Sequence, residues 1–163
     1  MAGNRDDGGQ KPYHHGNLRE ALVAAGLEIL ERPDAELTLR AAAKAVGVSH
    51  TAPYNHFADK DALLDAIAIR GFERLKSRVE AARAAAGAEP GDQILATGRA
   101  YILFAAAQPA LFRLMFGPRR SARQAEAVGV AGRAAFESLV EVMRGGIAAG
   151  ALREGDPRDA AHA

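Results

Sequence analysis

LTLRAAAKAVGVSHTAPYNHFADKDALLDAI, residues 37–67, is the stretch on which the fold turns. Thr38 offers an N-cap hydroxyl ahead of Leu39, Ala42, Ala43 and Val46, whose spacing of i, i+3, i+4 and i+7 predicts a short helix with one apolar stripe. Gly47 ends that helix, because glycine takes the left-handed conformation that turns a chain out of a helix without steric cost. Val48 is apolar and is expected to fill the angle between this helix and the next. Ser49 is the next N-cap residue, and a second short helix of about two turns is expected from Ser49 to Phe57. Pro53 falls in its first turns, where a missing N–H costs at most one hydrogen bond. A short helix, a glycine corner and a second short helix with a free outer side form a shape that fits a DNA major groove. The outward candidates are Ser49, His50, Thr51, Pro53, Tyr54 and His56, a set with hydroxyls, imidazoles and a phenol but no acid, suited to phosphates and base edges.

Working outward, residues 1–13 carry three glycines and an Asp pair with few apolar side chains, and read as a flexible arm. Leu18, Leu22, Ala25 and Ile29 mark one face of a helix from about Asn17 to Glu31, closed by Arg32-Pro33-Asp34. Residues 14–60 thus form a helix-turn-helix head. Asp59 caps a long helix from Lys60 to about Ala85, with Leu63, Leu64, Ile67, Phe72, Leu75 and Val79 as its apolar face. Gly87 to Gly91 break the chain. Helices are then expected over about Asp92–Gln108, from Pro109 through Phe116, and over about Ser121–Ala149. Pro157–Ala163 reads as the first turn of a further helix, cut off before it has an apolar face. Residues 61–163 are read as a helical regulatory body. Alanine, leucine, arginine and glutamate dominate and β-branched runs are few, so the class expected is all-α.

Composition removes several functions. With no cysteine among 163 residues there is no disulfide framework, thiolate zinc site or Cys nucleophile. No apolar run is long enough for a membrane span and no leader is readable, which predicts a soluble cytoplasmic protein. Ser49, His50 and the scattered acids form no nucleophile, base and orienter set, and no glycine-rich phosphate loop follows a strand, so neither an enzyme nor a cofactor is expected. His14 and His15 lack a third partner at ligand spacing, and no metal is expected. The net charge is only +1, so a case for nucleic acid rests on local placement of donors and cations. Arg5 and Lys11 of the arm could follow phosphates, but Asp6 and Asp7 lie between them.

The Thr cap, Ala-rich helix, Gly-Val-Ser turn, Tyr-x-His-Phe and Lys-x-x-Leu-Leu of residues 37–67 resemble the TetR family of regulators, over about residues 14–70. The resemblance implies that Thr38, Tyr54, His56 and Lys60 contact phosphates, that Ser49, His50, Thr51 and Pro53 lie at or near base edges, and that Phe57 is core. Lysine at a helix start is mildly disfavoured by the macrodipole, so a phosphate partner accounts for Lys60. Farther on, AYILFAAAQPALFRLMFGP, residues 100–118, resembles the WHG-type C-terminal body of a branch of these regulators. That resemblance implies an inducer cavity among Phe72, Leu75, Tyr101, Phe104, Phe112, Met115, Phe116, Phe136 and Met143, with core and cavity wall not separable by pattern, and Tyr101 as the polar handle. The Trp-His-Gly segment itself is absent, and the two further helices with which the family forms its dimer interface are not in the sequence. The function implied is a homodimeric repressor of double-stranded operator DNA, released by a small-molecule inducer. The alternative is a helical ligand-binding or protein-interaction module without DNA binding.

Overall fold

Leu18–Leu30 forms the first helix, α1, and buries a broad face of Leu22, Val23, Ala25, Leu27 and Ile29. It ends where Pro33 follows Arg32 and Asp34 takes a left-handed φ of 65°. The structure is a computed structural model that describes residues 18–118, 122–153 and 155–162; the calls on Arg5, Lys11, His14 and His15 lie outside the described residues. Leu39–Val46 forms α2. The Thr38 hydroxyl accepts from the Ala41 N–H at 3.0 Å, satisfying one of the orphan donors of the first turn. At the other end Gly47 has φ 79°; its N–H donates to Lys44 and that of Val48 to Ala43, the paired bonds of a Schellman ending. Val48 is only half-buried and stands outside the core cluster, while Ala42 and Ala43 of α2 are buried.

The second short helix differs from expectation. Its regular part is one 3₁₀ turn, Ala52–Asn55, rather than two α-turns from Ser49 to Phe57. Pro53 is the cause. An α-helix starting at Ser49 would need the residue 53 N–H to donate to the Ser49 carbonyl, and proline has none. The Ser49 carbonyl accepts from Ala52 instead, and Thr51 from Tyr54, both in the tighter i→i+3 pattern.

Asp59 caps α3, Lys60–Ala85, by accepting from the Ala62 N–H at 2.8 Å. This 26-residue helix is about 39 Å long and serves head and body alike. Leu63 and Ile67, both fully buried, close the head over α1, while Phe72, Leu75 and Val79 continue the same core into the body. Gly26 of α1 lets Ile67 sit against the helix backbone: a Cβ there would lie 2.7 Å from Ile67 Cδ1. After the Gly87 turn come α4, Pro90–Ala107, and α5, Pro109–Phe116, bent from each other by 105°. Then follow α6, Ala122–Ala148, and α7, Pro157–His162. α3 packs against α4, α5 and α6, and α7 against α6. Every regular element among the described residues is helical, and no single helix there is long and apolar enough to cross a membrane.

Two braces join head and body. The Glu31 carboxylate, just past α1, accepts from the Leu111 N–H at 2.7 Å and the Ala110 N–H at 3.3 Å at the start of α5. Arg70 of α3 pairs with Glu20 of α1.

Candidate nucleic-acid interface and interior cavity

The 3₁₀ turn is pinned from beneath. Pro53 and Phe57 are both buried, and the Phe57 N–H donates to the Pro53 carbonyl at 2.9 Å. The Arg19 guanidinium lies 5.3 Å over the Phe57 ring, adding a cation–π contact from α1. With the underside fixed, His50, Thr51, Tyr54 and His56 are all exposed, Tyr54 by 54%. A half-exposed phenol at a turn presents its hydroxyl to solvent, where a phosphate oxygen can accept from it.

Two expectations for this face are corrected. Pro53 belongs to the inner side, fully buried, and does not share the outer row with Tyr54. Ser49 makes no backbone cap; its hydroxyl lies 3.1 Å from that of Thr51, and no side-chain cap bond starts the 3₁₀ turn. Thr38 is half-buried and occupied as a helix cap, so what it can turn to a phosphate is the free N–H end of α2. Lys60, the first residue of α3, is exposed with its Nζ 3.6 Å from Glu36 Oε1. Residues 37–58 contain no Asp or Glu. Arg40 and Lys44 of α2 are exposed within that acid-free stretch, while Lys60 just beyond it is flanked by Asp59 and Asp61 and paired with Glu36.

The body holds a cavity of about 450 Å³ between α3, α4 and α6, with α5 and α7 at its edge. Of the eight aromatic and Met positions expected at an inducer site, Phe72, Tyr101, Phe116, Phe136 and Met143 line it, as does Leu75. Phe104, Met115 and Phe112 do not. Phe104 and Met115 are core residues, 1% and 3% exposed: Phe104 lies beneath the Arg78 guanidinium, 5.9 Å away, and Met115 fills the space left by Gly71, where a Cβ would come within 2.7 Å of its sulfur. Phe112 is a link in an aromatic chain, edge-on to Tyr101 at 5.7 Å and tilted on Phe116 at 4.7 Å; Phe116 in turn meets Phe72 edge-on at 5.3 Å.

Burial raises the Tyr101 phenol above its ordinary value. Thr97 is the residue that sequence reasoning missed. It is 0% exposed, it lines the cavity, and its hydroxyl has no hydrogen-bond partner. The available signal was its spacing: Thr97 precedes Tyr101 by four residues, which puts both on one face of α4. Another hollow, about 540 Å³ and more open, runs along α3 past Arg70, Arg74 and Arg78 and is polar. The apolar cavity is the better candidate for a small molecule.

Residues 22–67 match the family described as bacterial regulatory proteins, tetR family, and residues 94–163 match the tetracyclin repressor-like C-terminal domain. The second match does not single out the WHG-type branch. Among solved structures, a protein of unknown function from Rhodococcus sp. RHA1 is 39% identical, with a TM-score of 0.81 over 94% of this chain and 79% of that one. A regulatory protein of the tetR family from Rhodococcus RHA1 is 22% identical, with a TM-score of 0.68 over 89% and 77% of the two chains. The transcriptional regulator FadR from Bacillus subtilis, in complex with stearoyl-CoA, is 16% identical with a TM-score of 0.69 over 88% and 78%. At these lower identities the likeness is one of fold. No curated protein matches the chain.

Proposed function

Because this chain belongs to the TetR family of bacterial regulatory proteins and is a DNA-binding transcription regulator, we propose that it is a dimeric repressor which a small molecule releases from its operator. Two heads enter successive major grooves, about one helical turn apart. Tyr54, His56 and Lys60, with the N-terminal end of α2 at Thr38, hold phosphates. His50 and Thr51 read base edges, with Ser49 orienting Thr51 through its hydroxyl. Pro53 acts from below by fixing the turn. The observation that carries this reading is the outer row His50, Thr51, Tyr54 and His56, exposed on a turn whose underside is locked by Pro53 and Phe57.

The interior cavity supports the second half of the proposal. A relative of the same fold has been solved with stearoyl-CoA, and an effector seated among α3, α4 and α6 would alter the spacing of the two heads through α3, which starts beside Lys60 and ends in the body. Coupling of this kind is typically about 1–3 kcal/mol, and operates only if the effector prefers one head spacing. The protein would act in the cytoplasm, where the operator is. As a member of a family of transcription factors it carries out no catalysis.

The test is selection of bound sites from a random duplex pool, followed by titration of the selected site at rising salt. If Lys60 with the exposed Arg40 and Lys44 neutralise three phosphates per head, the dimer's log–log salt slope is about −5. An enriched palindrome with a steep slope supports the proposal. Binding that is blind to sequence, or no enrichment, refutes it.

A further inference from the structure

Two buried side-chain oxygens of the body have no hydrogen-bond partner among the described residues, those of Thr97 and Gln108, and of the two only Thr97 lines the cavity. A threonine in mid-helix ordinarily turns its hydroxyl back to the carbonyl four residues earlier, yet this hydroxyl is fully buried and makes no bond. Leaving a buried donor and acceptor unmade is costly, and native structures seldom do it without a use. Thr97 lines the cavity with its hydroxyl tucked behind the wall, one χ1 rotation away from the open space, and Tyr101 lines the same wall one turn farther on.

The other walls are largely apolar, with three aromatic rings set among the aliphatic side chains of Leu75, Leu139 and Met143. The rings of Phe72, Phe116 and Phe136 come from three different helices. Gly132 lets α6 close on the Phe72 ring, which a Cβ would meet at 3.3 Å, and a Cβ on Gly98 would face open space. Among the described residues no Asp, Glu, Lys or Arg side chain lines the cavity, and His162, tilted on Phe136 at 4.4 Å, is the sole lining group there that can carry a positive charge. Phe116 and Ile102 at the mouth are more than half exposed, but a carboxylate, phosphate or ammonium placed against the buried Thr97 wall would surrender its hydration without a counter-charge. Resting on the reading of this cavity as the effector site, we infer that the effector is an uncharged, flat aromatic or fused-ring molecule with one carbonyl or hydroxyl oxygen, anchored by that oxygen at Thr97. The ring supplies the buried apolar area and the oxygen completes the threonine hydroxyl.

The experiment uses the full chain and a matched set of two-ring probes. N-Phenyl-1-naphthylamine, which brightens in apolar sites, is bound first and then displaced by 2-acetylnaphthalene, 2-naphthoate or 2-ethylnaphthalene. The ketone is expected to displace it at a concentration at least about tenfold lower than the carboxylate. Thr97→Val should weaken the ketone about two- to tenfold, as one net hydrogen bond would, leave the hydrocarbon unchanged, and be reversed by Thr97→Ser. Gly98→Phe, which puts a ring at the exposed rim of the cavity, should weaken binding of every probe.

Equal displacement by naphthoate overturns the inference of an uncharged effector and leaves the cavity reading standing. Equal losses of ketone and hydrocarbon in Thr97→Val overturn the role of Thr97 as the anchor. No binding of the naphthylamine, or binding indifferent to Gly98→Phe, overturns the cavity reading itself.

Discussion

Replacing Glu31 tests the brace between head and body. Helix α5 has only eight residues and begins poorly: its N-cap, Gln108, offers no side-chain bond, and Pro109 has no N–H. The next two donors, on Ala110 and Leu111, are taken by the two oxygens of one carboxylate that belongs to the other end of the fold. Loss of a helix cap costs about 0.5–2 kcal/mol and loss of a hydrogen bond to a charged group about 1.5–3 kcal/mol. Glu31 is only half-buried, so water recovers part of this, and Glu31→Ala should cost about 1–2 kcal/mol. Glu31→Gln keeps one acceptor and loses the charge, and should cost about half as much. With a urea m-value of about 2 kcal/mol/M, the alanine variant should unfold at a midpoint lower by about 0.5–1 M. Amide exchange locates the effect: protection at Ala110 and Leu111 should fall by more than protection in α2. An unmoved midpoint together with unchanged exchange at Leu111 would show that the carboxylate does not cap α5.

Three further outcomes are expected. Gly47→Ala puts a Cβ on a backbone with φ 79° and should lower stability by about 1 kcal/mol or more in urea melts, with operator affinity falling because the corner that aims the turn is strained. Glu36 competes with phosphate for Lys60, so Glu36→Gln should tighten all duplexes about two- to threefold in a fluorescence-anisotropy titration, whereas Lys60→Ala or Tyr54→Phe should weaken them all alike and His50→Ala or Thr51→Ala should relax preference at single base positions. Folding raises the Tyr101 phenol above 10.0, so the unfolded chain releases that proton first; the stability tied to it is complete below pH 10.0 and is lost as pH climbs toward the folded value. Tyr101→Phe should flatten that alkaline slope in melts recorded across it.

What was legible in the sequence followed from local chemistry. Thr38, Gly47 and Asp59 each act through atoms within a few residues, and the structure has the cap, the left-handed corner and the cap that their types imply. The apolar stripe Leu63, Ile67, Leu75 and Val79 likewise needed only helical spacing to be read. The cavity was half legible. Phe72 and Phe116 stand on its wall while Phe104 and Met115 stand in the core, although all four are large apolar residues at helical positions. The division depends on how far α4 and α6 stand apart, a tertiary distance that periodicity does not carry. Glu31 was invisible for the same reason: its partners lie 79 and 80 residues away, and a glutamate at the end of a helix reads as a solvated charge.

The reading turn shows how one residue can be misplaced inside a correct pattern. Its hydrogen bonds are 3₁₀ apart from the last, Phe57 to Pro53, but its burial is helical: Pro53 and Phe57, four residues apart, share the inner side, while His50, Thr51 and Tyr54 lie on the outer one. The tolerance of a helix start for a missing donor says nothing about which side Pro53 faces. Its position was decided by surface. A pyrrolidine ring four residues before a phenylalanine is apolar area that packing retains. With Pro53 beneath, the turn does not need a regular α-helix to hold its shape, since the same residue that prevents the α-helical bond to Ser49 anchors the segment to the core. The outer row is therefore aimed by the proline and the phenylalanine together, and a change at either should disturb every contact of that row at once, whereas a change within the row should disturb one contact alone.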